Sequence, residues 1–137
     1  MQHEKSERGA AAVEFAFILP VLLLLVIGIM EFGFLFNQQI SASNAAREGA
    51  RYAAVHYADS GFSAARVQTA ATDAAPTLNM VTPIGITYSA GAACATGTTV
   101  TVKIEAVQNS ATRGWLLGFL PFDAPQIGGV GVMQCGG

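Results

Sequence analysis

The chain has 137 residues, room for one small domain. Only 12% of them are charged, 52% are hydrophobic and the net charge is −2. A soluble domain carries about 25% charged residues. The balance gives no electrostatic basis for holding nucleic acid.

The shortage of charge is concentrated at one end. Gly9 to Phe36 are 28 residues in which only Glu14 and Glu31 are charged. A bilayer core takes about 20 apolar residues as a helix, so this run is long enough to span. The apolar core of a cleaved secretory signal is only about 7–15 residues long. Lys5 and Arg8 flank the start closely, whereas Arg47 and Arg51 lie 11 and 15 residues beyond Phe36. By the positive-inside rule the N-terminus is expected in the cytoplasm.

In chain order, residues 1–9 form a short polar leader with no regular structure expected. Residues 10–36 form the transmembrane helix. Pro20 lacks a donor and crowds the carbonyl four residues back, so a kink is expected near Ala16–Pro20. Residues 37–58 extend the helix outside the membrane, with no proline or turn signal as far as Tyr57. A helix from Ala10 to Tyr57 would be roughly 70 Å long. One broad side of the extension is small: Ala42, Ala45, Ala46, Gly49, Ala50, Ala53 and Ala54. Such a side lets another element approach closely, although alanine also simply favours helix.

Residues 59–137 read as a small extracytoplasmic domain. Asp59-Ser60-Gly61 breaks the rod, and Asp59 or Ser60 is expected to cap a short helix over Phe62–Ala75 that Pro76 ends. The period then changes to two. Ile84–Tyr88 and Val100–Ala106 alternate as strands do, and Ile127–Met133 is a third strand loosened by Gly128, Gly129 and Gly131. The expected fold is α+β: a long helix, a short helix and a three-stranded antiparallel sheet whose buried face the long helix covers.

Cys94 and Cys135 both lie in the part placed outside, where two cysteines usually pair. Closing that loop is worth about 4 kcal/mol in the chain-entropy treatment. Two cysteines without a histidine pair cannot complete a zinc site, so no metal is expected. Nor is a cofactor. The histidines, His3 and His56, stand far apart, and no HExxH, GxSxG, phosphate loop or CxxC occurs. Gly128–Gly131 fits a tight sheet edge better than a nucleotide loop. Glu14 and Glu31 are 17 residues apart and face different sides of a helix, so they are no paired-carboxylate site. An enzyme is not expected. Trp115–Phe122 (WLLGFLPF) is apolar at seven of eight positions without strand alternation. Trp115, Leu116, Leu117, Phe119, Leu120 and Phe122 are either a partner or membrane surface or an irregular loop folded over the sheet.

Arg8-Gly9 followed by Ala10-Ala-Ala-Val-Glu14-Phe15 resembles the processing site of type IV-type prepilins. In that family a polar leader ends in glycine, and the fifth mature residue is glutamate. Glu14-Phe15 is similar to the tight-adherence (Tad, or Flp) branch. The run GAAAVEFAFILPVLLLLVIGIMEFG, then NAAREGARYAA, resembles TadE-like pseudopilins from about Arg8 to Ala54. TadF- and TadG-type relatives share such N-termini. The resemblance implies a pilin-like minor subunit of a Tad pilus and secretion apparatus that starts or caps an adhesive fibre. It implies cleavage between Gly9 and Ala10 by a prepilin peptidase and an assembly role for Glu14 and Phe15. The implied partners are other Tad pilins and pseudopilins, the peptidase, the inner-membrane assembly platform and lipid. The implied location is the inner membrane, with the outer domain in the periplasm or in the fibre. The rival expectation is a single-pass, signal-anchored envelope protein whose outer domain binds a ligand. The two differ at Gly9, which only a pilin-like protein has cut.

Overall fold

A computed structural model describes residues 3–107, 114, 118 and 125–136, with the backbone alone for residues 3–8. The chain is α+β. Among the described residues its elements are α1 (His3–His56), α2 (Ala64–Ala74), β1 (Gly85–Tyr88), β2 (Thr99–Glu105) and β3 (Gly128–Gln134). It forms two compact units, Met1–Phe34 and Leu35–Gly137.

The first unit is helix alone. Helix α1 holds Pro20 in its interior and begins at His3. Residues 3–9 are therefore helical where no regular structure was expected. Glu4, Lys5, Glu7 and Arg8 are good helix formers, and no proline stops the helix from propagating back into them. Every residue from Gly9 to Val26 is exposed to its surroundings. The best 18-residue window has a mean hydropathy of 2.7, and none of that window is buried in the protein. Among the described residues this is the one helix long and apolar enough to cross a membrane.

The second unit packs the rest of α1 and α2 with the sheet. Asp59 does not cap the second helix, nor does Ser60. Asp59 N donates to His56 O at 3.0 Å and Phe62 N to Asp59 O at 3.0 Å, so these residues are spent on consecutive turns. The cap falls to Ser63, in extended conformation, whose side chain accepts from Arg66 N. The helix ends at Ala74, shortly before Pro76.

The strands run in the order β1-β2-β3, antiparallel throughout. Alternation decides the faces. Val100, Val102 and Ile104 of β2 are fully buried, while Lys103 and Glu105 point outward and pair with each other at 2.7 Å. Opposite them on β3, the inward positions are Met133, Gly131 and Gly129. The small side of α1 is the cover. Ala42, Ala45, Ala46, Ala50 and Ala53 are fully buried in one cluster with Val67 and Ala71 of α2 and the β2 valines.

The glycines of β3 set how close that cover comes. A Cβ on Gly129 would lie 2.7 Å from Ser43 Cα and nearer still to the Ala42 carbonyl. One on Gly131 would lie 2.7 Å from Arg47 N and nearer still to the Ala46 carbonyl. Helix and strand backbones are thus in direct contact. These glycines do not loosen the strand; they admit the helix.

Candidate assembly site

The sequence-selected positions fall in two places. Gly9, Ala10, Glu14 and Phe15 all lie on α1 in the first unit. Nothing lies within 4 Å of where a Gly9 Cβ would be, and Phe15 is 61% exposed. Glu14 is exposed too. A carboxylate on an otherwise apolar helix surface is a group the protein itself does not shelter. Among the described residues, no group of three or more histidine, cysteine or acidic side chains could hold a metal.

Glu31 is half-buried, unlike Glu14. Seventeen residues separate them, about 26 Å along the helix. The structure therefore keeps them apart, as the helical period requires.

The second place is the continuation of α1. Its outward positions Asn44, Arg47, Glu48 and Arg51 form one wall of an open groove. Ala70, Asp73 and Ala74 of α2 form the other, with Met133 also lining it. Arg51 Nε donates to Glu48 Oε2 at 2.9 Å, one helical turn away. That hydrogen bond holds the Glu48 carboxyl below its ordinary range, against the opposing effect of desolvation and helped by the charge of Arg51. The motif NAAREGARYAA is thereby divided by the helix. Its small residues face the core, and its charged residues face the groove. Gly49 packs closely on the core side, where a Cβ would come within 3.3 Å of Ala71 Cβ and Val102 Cγ1.

At the start of β3 the structure shows a contact that sequence reading missed. Gln39 Nε2 donates to Gly128 O at 2.7 Å, and Gly128 N donates to Gln39 Oε1 at 3.3 Å. One side-chain amide satisfies both backbone groups of the residue, as a neighbouring strand would. No local signal marks this, because Gln39 and Gly128 are 89 residues apart.

At the other end of the sheet Cys94 and Cys135 are joined, with Cα atoms 5.8 Å apart. Cys135 N donates to Thr98 O at 2.8 Å, and the Tyr57 hydroxyl meets Thr96 Oγ1 at 3.1 Å. The end of α1 and the end of β3 are thus fixed to one corner. Trp115, Leu116, Leu117, Phe119, Leu120 and Phe122 lie outside the described residues.

Residues 9–51 match a family model described as TadE-like protein. The match begins at Gly9, takes in Glu14, and ends at Arg51 on the groove wall. It stops before α2 and the sheet. No curated protein and no solved structure matches the chain.

Proposed function

Because residues 9–51 match a family model described as TadE-like protein, we propose that the chain is a minor pilin of a Tad pilus system, an assembly subunit made functional by prepilin-peptidase cleavage after Gly9. Its role is structural. It sits in the inner membrane with residues 1–9 in the cytoplasm, residues 10–36 across the bilayer and residues 37–137 outside. Its partners are other Tad pilins and pseudopilins, the peptidase and the inner-membrane assembly platform.

The observation that carries this reading is Glu14, a carboxylate exposed on an apolar helix five residues beyond a leader glycine. Measured from Ala10, Glu14 lies about 6 Å along the helix and Glu31 about 31 Å. Glu31 therefore reaches the outer headgroup level, where a carboxylate costs little. Glu14 lies just inside the hydrocarbon, where an ionised group is costly and marks function. A cation would offset that cost. Cleavage after Gly9 creates one, the α-amine of Ala10. A neighbouring subunit shifted by about one helical turn would bring its amine to this carboxylate.

A second contact follows from the sequence of Trp115–Phe122. The residues flanking that segment are tied near Gln39, only three positions beyond the apolar run. Val107 N donates to Asn79 O at 2.7 Å, Ala106 N to Ile127 O at 2.9 Å, and Gly128 is held by Gln39. The sequence of Trp115–Phe122, apolar at seven of eight positions, would suit a contact with lipid or a partner.

Glu14→Gln keeps shape and removes charge. It is expected to insert and be cleaved as the wild type is, and to lose crosslinking to partner pilins. Glu31→Gln is expected to lose much less. Normal assembly of Glu14→Gln alongside failure of Glu31→Gln would reverse the two assignments.

A further inference from the structure

The sheet has two open edges, and the hydrogen-bond phase says which groups they offer. Ala106 N donates to Ile127 O, and Cys135 N donates to Thr98 O. The odd-numbered residues of β3 therefore exchange bonds with β2, and Gly128, Val130, Val132 and Gln134 turn their N–H and C=O groups outward. The chain itself occupies the first of these rungs, through Gln39. Among the described residues, the other three have no protein partner on that side. On β1, Val81 N donates to Glu105 O at 2.8 Å and Ser89 N to Thr99 O at 2.9 Å. Gly85 and Thr87 therefore face β2, and the backbone groups of Ile86 and Tyr88 turn outward.

An open edge is a template for another strand, and proteins that must avoid such pairing place charge or proline on it. Here the arrangement is reversed. Neither β1 nor β3 contains a charged residue or a proline, and the two charged residues of the sheet, Lys103 and Glu105, are on the central strand. Val130 and Val132 on the longer edge are 57% and 56% exposed.

Direction selects the occupant. Two antiparallel steps make β1 parallel to β3. Strand β3 is fixed along α1, with Gly129 at Ala42 and Gly131 at Ala46. Antiparallel pairing of β3 with β3 of a second copy would reverse one α1 relative to the other. Copies anchored in one membrane the same way cannot do that. The β1 edge of a second copy can meet β3 with both copies pointing the same way.

We propose that β3 accepts β1 of a second copy as a parallel strand, so that the three-stranded sheets of neighbouring subunits join edge to edge in an open, head-to-tail row. The phase fixes the register. Val132 N–H donates to the carbonyl of Ile86 of the second copy, and Val132 C=O accepts from the N–H of Tyr88 of the second copy. Val132 then stands opposite Thr87 of the second copy, both on the outer face. The inner faces also agree, since Gly131 and Met133 continue into Ile86 and Tyr88 of the second copy. This rests on the reading of the chain as a membrane-anchored assembly subunit, which supplies the common direction.

The test is Val132→Cys with Thr87→Cys in the full chain in its own membranes, under mild oxidation. Within one chain these positions are separated by Thr101, two strand spacings or about 9.5 Å. That exceeds the roughly 7 Å limit for a disulfide, so any bond must join two copies. The expected result is a ladder of dimers, trimers and higher species in the double variant and none in either single variant. Adding Val130→Pro is expected to abolish the ladder. It removes an outward N–H that β2 does not use, and the native Cys94–Cys135 bond should still form. Absence of the ladder overturns the proposal, and so does a dimer from Val132→Cys alone, which reports antiparallel pairing. N-terminal sequencing of the same sample separates the two readings. A mature Ala10 without a ladder refutes the sheet contact only. A retained Met1 refutes processing, whatever the ladder shows.

Discussion

Substituting Gly131→Ala adds one methyl group at the tightest place in the domain. Its Cβ would sit 2.7 Å from Arg47 N and closer to the Ala46 carbonyl, all main-chain atoms of a helix packed over the strand. No side-chain rotation relieves this, so α1 must lift from β3 by about 1 Å to restore ordinary contact. Overpacking a core costs typically 1–3 kcal/mol and occasionally more. Lifting the helix also loosens Ala42, Ala45 and Ala50, all fully buried now, so a cost of about 3 kcal/mol or more is expected. For a domain of this size that lowers Tm by roughly 12–24 °C. The assay is thermal unfolding of the full chain in detergent, followed by near-ultraviolet circular dichroism. Ala46→Gly should not rescue the variant, because the obstacle is the carbonyl and not the methyl. A Tm for Gly131→Ala within about 2 °C of the wild type would refute the direct backbone contact between helix and strand.

Other consequences are smaller or differently placed. Removing the Cys94–Cys135 bond by Cys94→Ser is expected to cost about 2–4 kcal/mol, read as a loss of denaturant midpoint in the full chain. Ser63→Ala should cost only about 0.5 kcal/mol by the same measurement, the low end for an N-cap, since its bond to Arg66 N is long at 3.4 Å. The Glu48 carboxyl is held below its ordinary value of 4.5 in the folded chain. Its contribution is therefore present above that value and lost as pH falls from there through the folded value. The Tm difference between wild type and Glu48→Gln should be small, because the pair is exposed, and should vanish as pH falls below 4.5 and through the lowered folded value.

The sequence exposed the fold unevenly, and the reasons are physical. Periodicity located all three strands to within one or two residues, because β2 buries Val100, Val102 and Ile104 in strict alternation. The small side of α1 was visible because helical spacing alone collects Ala42, Ala45, Ala46, Gly49 and Ala53. What that side meets was not visible. Gly129 and Gly131 carry no side chain to show a face, so their role appears only with the register that sets them over Ala42 and Ala46. The cap at Ser63 was misplaced because Asp59 and Ser60 are equally good capping types, and only the turns through Phe62 N and Asp59 O decide between them. The Gln39 contact depends on two residues 89 positions apart, which no local pattern joins. At the N-terminus the position is the opposite. Gly9 and Glu14 were legible as a spacing, but the cleavage and subunit pairing proposed for them involve other molecules, which the fold of one chain does not contain.

The most direct measurement is therefore the identity of the first residue of the protein taken from its native membrane, by Edman degradation or intact mass. The account predicts a chain beginning at Ala10, with residues 1–9 removed and Glu14 as its fifth residue. A chain that retains Met1, or one that begins near Ser43, would contradict it.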